Sequence, residues 1–315
     1  MMTQLKNKSL IIILGPTASG KTTAGIQIAK TFQTEIISAD SRQFYKELKI
    51  GTAVPDTFQM SGITHHFIQT ISVHDYYNVS MYEQEVLKIL DRLFLKKDFV
   101  VMVGGSGMYI DVVCHGIDDL PTIDPEIREK LQQKLQNEGI EGLRTELKKM
   151  DPVYYTKADL NNPKRILKAL EISVMTGIPY SSFLTNPRKE RPFKILKIGL
   201  KPDRDKLYDN INTRVDDMIK KGLIEEARSL YKIRHLNALN TVGYKEIFDY
   251  IDGKITLDQA VTLIKRNTRR YARRQLTWFN RDKTIVWFTP GDIDSIIDFI
   301  KHEAGLNYKE EMTKI

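Results

Sequence analysis

The segment that most constrains the fold of this chain is Gly15–Thr22, which reads GPTASGKT. It fits the pattern G-x-x-x-x-G-K-[S/T] at every position, with an aliphatic run before it and a helix-compatible stretch after it. Glycines let the backbone curl so that several N–H groups point inward, and the helix that follows adds its positive end. We therefore predict a polyphosphate or diphosphate site, with Lys21 on the outer phosphate oxygens and the Thr22 hydroxyl placed to bind Mg²⁺. The predicted phosphate-binding residues are Gly15, Pro16, Thr17, Ala18, Ser19, Gly20, Lys21 and Thr22.

Alternating strand and helix patterns on both sides of this loop indicate the fold class. Strand-like runs predict strands at Leu10–Leu14, Glu35–Ser38, Phe99–Val103, Ile195–Leu200 and Thr284–Phe288. The stretch Thr22–Phe32 is compatible with a helix, and 3.6-residue spacing predicts a helix at Val79–Lys97. This order predicts an α/β fold, a P-loop NTPase-like parallel sheet with helices on both faces.

The character of the chain changes in its middle. Strand patterns disappear there and helical ones take over, at Pro125–Gln136, Leu143–Met150 and Pro163–Met175. We predict an inserted all-helical lobe at residues 119–192, within a core formed by residues 1–118 and 193–315.

Composition excludes several classes of protein. Hydrophobic residues make up 41% and charged residues 28% of the 315 residues, as in ordinary globular chains, so wholesale disorder is excluded. The single cysteine, Cys114, excludes an intramolecular disulfide framework and a Cys-rich zinc module. No apolar run reaches the roughly 18 residues that span a bilayer, and Ile11–Leu14 is too short for a signal peptide. We expect a cytoplasmic protein with no membrane partner.

The loop motif alone does not select among phosphate compounds. ATP, with phosphoryl transfer, would be the default, but the strand Phe99–Val103 ends in Gly104–Gly107 with no Walker-B carboxylate. The nearest acid at the end of a strand is Asp40, at the edge where α/β folds bind ligands. A carboxylate there could hold Mg²⁺ through water or accept a proton from a nucleophile; the alternative is that Asp40 caps a helix.

A basic helix near the carboxyl end indicates a polyanionic partner. Six cations fall in the ten residues from 265 to 274 with no acid among them, and the net charge of the chain is +8. They cover about half of the helix circumference, and Val261, Ile264, Tyr271, Gln275 and Trp278 lie on the opposite side. We predict that this face, Arg269 and Arg273 included, binds nucleic acid; a solvated face balanced by acids elsewhere is the alternative.

With these residues in view, the chain resembles the tRNA dimethylallyltransferase (tRNA isopentenyltransferase) family of the bacterial type over nearly its whole length. Seven further segments carry the resemblance besides GPTASGKT: Ile37–Tyr45 (ISADSRQFY), Ile50–Ala53 (IGTA), His65-His66, Gly104–Tyr109 (GGSGMY), Asp151–Arg165 (DP…NNPKR), Gly243–Glu246 (GYKE) and Thr268–Phe279 (TRRYARRQLTWF). Three positions depart from the common pattern, Val54, Thr64 and Asn280, and none of them lies in the P-loop or at Asp40.

The resemblance implies prenyl transfer. The P-loop would hold the diphosphate of dimethylallyl diphosphate with Mg²⁺, and the nucleophile would be the N6 amine of the adenosine just 3′ of the anticodon, in tRNAs that read codons beginning with U. The implied catalytic residues are Asp40 as general base, Ser106 near the reacting centre in place of the usual threonine, and Lys21. The implied tRNA-binding residues are Asp40, Ser41, Arg42, Gln43, Ser106, Arg128, Lys164, Arg165, Ile166, Leu167 and Lys168.

Three alternatives to this function remain open from the sequence. An adenylate isopentenyltransferase shares the fold but needs neither the basic helix nor the full helical insert. A P-loop kinase of a small metabolite would consume ATP, and a non-enzymatic RNA-binding protein would not need Lys21, Thr22 and Asp40 together. We expect the protein to act as a monomer.

Overall fold

The computed structural model describes residues 8–118, 120–121, 123–185 and 189–306. Its centre is a six-stranded sheet in which every paired strand is parallel. The strands are β1 (Ser9–Leu14), β2 (Ile36–Ala39), β3 (His65–His66), β4 (Phe99–Gly104), β5 (Lys194–Leu200) and β6 (Val286–Phe288), in the spatial order β3-β2-β4-β1-β5-β6. The predicted α/β class with a parallel sheet is confirmed.

The central strand β1 is buried along its whole length, because strands pair with it on both sides and side chains cover both faces. Ile11 and Ile13 pack in one cluster with residues of α1 (Lys21–Thr31) and α12 (Ile293–Glu303). The alternation of side chains along a strand sends Leu10 and Ile12, also fully buried, to the opposite face.

The remaining helices of the core connect and flank these strands. They are α2 (Thr57–Met60), α3 (Val79–Phe94), α4 (Gly107–His115), α8 (Arg204–Lys220), α9 (Leu223–Ser229), α10 (Tyr244–Ile251) and α11 (Leu257–Phe279). The predicted helix at Val79–Lys97 ends at Phe94, and the strand predicted from Thr284 begins at Val286. The two-residue strand β3 was not predicted, because two residues are too few to show a periodicity.

The chain divides into two compact units, Met1–Cys114 with Arg191–Ile315, and His115–Glu190. The second unit starts four residues before the predicted boundary at 119 and ends two residues before the predicted boundary at 192. Within its described residues every regular element is helical: α5 (Pro125–Met150), α6 (Pro152–Tyr155), α7 (Pro163–Thr176) and a 3₁₀ turn at Tyr180–Phe183.

Helix α5 contains the two helices that the sequence predicted. Gly139, with φ 68° and ψ −167°, leaves the helical region and separates them by a kink. Leu143 and Leu147 from the second half pack against Ile166 and Leu170 of α7 to form the core of this unit. No helix in the described part of the chain is both long enough and apolar enough to cross a bilayer.

Candidate active site

The loop between β1 and α1 has the conformation that its glycines allow. Gly15 has φ 148°, and a Cβ at this position would lie 2.5 Å from the carbonyl oxygen of Leu200, so only glycine fits. Gly20 adopts a left-handed conformation at the N-cap of α1, and no side chain caps that helix. The N–H groups of the first turn of α1 therefore remain available to an anion, and the positive end of the helix dipole points the same way.

Two cations face the cavity beside this loop. The Lys21 ammonium donates to the carbonyl oxygen of Pro16, and the Arg214 guanidinium, from α8, donates to Thr17 Oγ1 at 3.2 Å. Burial and the charge of Arg214 lower the pKa of Lys21 to about 7, and the charge of Asp40 opposes this shift. Burial likewise lowers the pKa of Arg214. Two desolvated cations side by side are unfavourable alone, and a bound anion would relieve the repulsion between them.

A buried hydroxyl in the same loop fits a bound ligand. Ser19 Oγ is buried and has no hydrogen-bond partner among the described residues, although buried polar atoms are normally paired. The Thr22 side chain lines the cavity. Across the described residues no three His, Cys, Asp or Glu side chains come together as a metal cage. Mg²⁺ is often held by few protein oxygens together with substrate phosphates and water, so the Thr22 hydroxyl could supply one of its ligands.

The ends of β2 and β4 bring Asp40 and Ser106 to the same edge of the sheet. These strands are neighbours, with Ala39 opposite Gly104. The amide of Ser106 donates to the Ala39 carbonyl at 3.2 Å, and Ser106 Oγ accepts from the Ser41 amide at 3.0 Å. The Asp40 carboxylate accepts from the Arg42 amide at 3.0 Å and holds a turn, with no helix beginning there. The helix-cap alternative for Asp40 is therefore wrong.

Helix α11 closes the site with Tyr271 and Gln275, which the sequence placed on its inward side. Gln275 is buried; its Oε1 accepts from the Thr17 amide and its Nε2 donates to the Gly105 carbonyl, both at 2.8 Å. Tyr271 lines the cavity, and desolvation together with the charge of Asp40 raises the pKa of Tyr271 to about 12. Gln275 therefore ties the P-loop to the glycine-rich turn after β4.

The resulting cavity has a volume of about 760 Å³ and lies wholly within the core unit. Its lining includes Thr17–Thr22 of the P-loop, Asp40, Gln43, Arg214, Tyr271, Lys49, Ile50 and residues 52–56. The half-buried Arg42 follows Asp40 in the same turn. A volume in this range is typical of small-ligand sites. The cations Lys21 and Arg214 and the carboxylate of Asp40 line one cavity, which suits a ligand with an anionic group and a reacting group that loses a proton.

Sequence reasoning missed two of the residues in this site. Arg214 lies in the amphipathic helix α8, where one arginine among several charged residues gives no signal. The position of Gln275 was informative, because a polar side chain on the inward side of a helix needs hydrogen-bond partners. The sequence did not predict which groups those partners would be.

Six of the predicted tRNA-binding residues, Arg128 and residues 164–168, belong to the helical unit. The Arg128 guanidinium pairs with the buried carboxylate of Glu171 at 2.8 Å. Lys164 and Arg165 are exposed, and Leu167 and Lys168 are half-buried. Ile166 is fully buried in the core of the unit, so its side chain packs there and any contact with a ligand passes through its backbone.

The basic face of α11 is partly compensated, which corrects the expectation of six uncompensated cations. Lys265 pairs with Asp216 of α8 at 2.6 Å, and Arg269 Nη1 donates to Asn212 Oδ1 at 2.7 Å. Arg266, Arg270 and Arg273 are exposed, and within the described residues their guanidinium groups make no hydrogen bond or ion pair. The surface available to a polyanion is therefore narrower than the sequence indicated.

Known proteins resemble this chain along nearly all of its length. The sequence profile of IPP transferases matches residues 43–282. A tRNA dimethylallyltransferase of Christiangramia forsetii is 54% identical over 297 residues, 94% of this chain and 98% of that protein. Another, from Parabacteroides distasonis, is 53% identical over 295 residues, 94% of this chain and 99% of that one. The chain belongs to the IPP transferase family.

Solved structures agree with this membership of the IPP transferase family. The crystal structure of the full-length tRNA isopentenylpyrophosphate transferase of Bacillus halodurans is 35% identical, with a TM-score of 0.70, and covers 95% of this chain and 97% of its own. A eukaryotic dimethylallyltransferase, crystallised acting on tRNA, is 24% identical with a TM-score of 0.80 over 96% of this chain and 81% of its own, and supports the fold alone. The resemblance predicted from the motifs is confirmed, and with it a prenyltransferase enzyme of a tRNA-modifying family.

Proposed function

We propose that this protein transfers a dimethylallyl group from dimethylallyl diphosphate to the N6 amine of the adenosine 3′-adjacent to the anticodon, in tRNAs that read codons beginning with U. Family membership over nearly the whole chain supports this reaction. The observation that carries it is the cavity itself, which is lined by the cations Lys21 and Arg214 and by the carboxylate of Asp40.

The donor end of the cavity binds and stabilises diphosphate. Lys21, Arg214 and the N–H groups of the first turn of α1 supply the positive charge for the diphosphate oxygens. Mg²⁺, when bound with Thr22 and the diphosphate, would further neutralise the leaving group. The allylic C–O bond breaks, and its electron pair leaves with the diphosphate. No γ-phosphoryl group is transferred, which agrees with the missing Walker-B carboxylate.

The acceptor end activates the amine. Asp40 accepts a proton from N6 as the new C–N bond forms to the allylic carbon, so the products are the prenylated adenosine, diphosphate and a proton held by Asp40. Ser106 lies next to Asp40 in the fold, because it bonds Ser41 and Ala39, the residues on either side of Asp40. A desolvated site also protects a developing allylic cation from water.

The target adenosine enters the cavity in this proposal, and the rest of the RNA is held by basic side chains outside it. In the helical unit, Arg128, Lys164, Arg165 and Lys168 supply charge for tRNA phosphates. In the core unit, Arg273 of α11 does the same. We propose that the protein acts as a monomer, in the cytoplasm where tRNA is found, because one chain carries both the donor and the acceptor ends of the cavity.

Incubation of the purified protein with dimethylallyl diphosphate, Mg²⁺ and a synthetic anticodon stem-loop tests this function. Mass spectrometry of the digested RNA should show one dimethylallyl group on the target adenosine, with one diphosphate released per group transferred. A stem-loop with guanosine at that position is the matched control and should remain unmodified. Prenylation of free AMP in preference to the stem-loop would favour an adenylate isopentenyltransferase, and phosphorylated product from ATP would favour a kinase.

A further inference from the structure

The carboxylate of Glu226, on α9, gathers four hydrogen bonds. Its Oε2 accepts from the amides of Lys49 and Ile50 at 3.1 and 2.8 Å. Its Oε1 accepts from the amide of Gly51 at 2.9 Å and from the hydroxyl of Tyr244 at 2.6 Å. One side chain therefore fixes three consecutive amides at the start of the segment 49–54, which lines the cavity.

Tyr244 holds this carboxylate and the segment together. Its ring is fully buried, and a Cβ on Gly51 would lie 2.6 Å from ring atoms, so the backbone at Gly51 rests directly against the ring. Burial and the charge of Glu226 hold the pKa of Tyr244 far above its ordinary value, so the hydroxyl remains a donor. The segment cannot move away from α9 without exposing buried surface and leaving the carboxylate without these donors.

The same segment determines the orientation of the Gln43 side chain. Gln43 Nε2 donates to the carbonyl oxygens of Thr52 at 3.0 Å and Ala53 at 3.1 Å. Two carbonyl acceptors identify this atom as the amide nitrogen and use both of its hydrogens. Ala53 has φ 51°, an unfavourable conformation for a residue with a Cβ, which the surrounding bonds must maintain. Gln43 Oε1 accepts no hydrogen bond within the described residues.

We propose that Glu226 and Tyr244 are positioning residues. Through the segment 49–54 they hold the Gln43 side-chain amide with its oxygen toward the cavity. The site then accepts a base that carries a hydrogen-bond donor at C6 and rejects a base that carries a carbonyl there. The inference rests on the proposed function. An exocyclic amine has two N–H groups, one for Asp40 and one for Gln43 Oε1, whereas hypoxanthine would place an oxygen against both acceptors. Unpaired or repelling polar groups in a desolvated site are a strong source of discrimination.

Binding of two stem-loops tests this positioning role. One stem-loop carries adenosine at the target position and the other inosine, and both are titrated with inorganic diphosphate present and the prenyl donor absent. The measured quantity is the ratio of the two Kd values. We expect Gln43→Ala to lower the preference for adenosine by about fivefold to tenfold, the size of one lost hydrogen bond to a base edge.

Glu226→Gln should lower this preference to nearly the same extent, because its amide cannot accept from all of the donors at Lys49–Gly51 and Tyr244. In the Gln43→Ala background, Glu226→Gln should change the ratio by less than twofold, since both variants then act on the same contact. Tyr244→Phe removes one of the four bonds and should lower the ratio by two- to threefold. The matched control is Tyr231→Phe, which removes a hydroxyl that bonds Asp252 beside the same hydrophobic cluster, and it should leave the ratio unchanged.

An unchanged ratio in Glu226→Gln, with diphosphate still bound, would overturn the positioning role. If Glu226→Gln does not fold, Tyr244→Phe decides, and a ratio within the error of wild type overturns the inference. Failure of the wild-type protein to prenylate the adenosine stem-loop would instead remove the proposed function. A merely structural role would lower the melting temperature and the active fraction but leave the ratio of Kd values unchanged.

Discussion

Replacing both Arg270 and Arg273 by Gln tests whether the exposed face of α11 binds RNA phosphates. These two arginines lie three residues apart, and therefore on one face of the helix. Both are exposed, and among the described residues their guanidinium groups make no hydrogen bond or ion pair, so replacing them should cost the fold little. Their loss should appear in RNA binding alone.

The size of the effect follows from counterion release. Each phosphate contact contributes about 0.7 to 0.9 to the slope of log affinity against log salt, so two lost contacts should flatten the slope by about 1.4 to 1.8. Fluorescence anisotropy of labelled stem-loops over a series of KCl concentrations measures this slope. Stem-loops of different sequence should weaken about equally, because phosphates carry no sequence information, and diphosphate binding should not change.

Arg269→Gln is the matched control on the same helix. It removes the hydrogen bond to Asn212, so it should lower the unfolding free energy by about 1 kcal/mol. An unchanged salt slope in the Arg270, Arg273 double variant, together with a marked drop in melting temperature, would refute the reasoning. The arginines would then be structural and the RNA surface would lie elsewhere.

Three further predictions concern the cavity and the core. Lys21→Ala removes a desolvated cation from the phosphate loop, and calorimetry should then detect no diphosphate binding; wild-type affinity would contradict the P-loop assignment. Asp40→Asn should lower turnover by about 10²–10⁴-fold with RNA affinity nearly unchanged, and a loss below threefold would exclude a general base. Burial would raise the pKa of Asp282, but hydrogen bonds from Lys197 and Thr284 outweigh it and lower that pKa from 3.8 to about 2. This stabilisation is present above pH about 4 and is lost as the pH falls through 2. The Asp282 side chain is 28% exposed, so solvent screening reduces the effect. In denaturant titrations, Asp282→Asn should therefore lower the unfolding free energy by about 1 to 2 kcal/mol at pH 7 and by almost nothing near pH 2.

The outline of the fold was predictable because its signals are local. The turn after β1 needs glycines at fixed positions, and β1, β4 and β5 read as aliphatic runs because both of their faces are buried. The kink at Gly139 agrees with the gap between the two predicted helical patterns. Strand β3 escaped prediction because its two residues pair with β2 through the backbone and carry no pattern of their own.

The sequence by itself determined the chemical types in the site: a phosphate loop, a carboxylate after β2 and a hydroxyl after β4. Their neighbourhood was partly foreseeable, since the carboxyl ends of parallel strands lie at one edge of the sheet. Only the tertiary structure decided that Gln275 bonds Thr17 across 258 positions of chain and that Arg214 bonds the same residue across 197. Such partners depend on how α8 and α11 pack over the sheet. Packing depends on the burial of many side chains together, so the loop that each helix contacts cannot be predicted from any single residue in it.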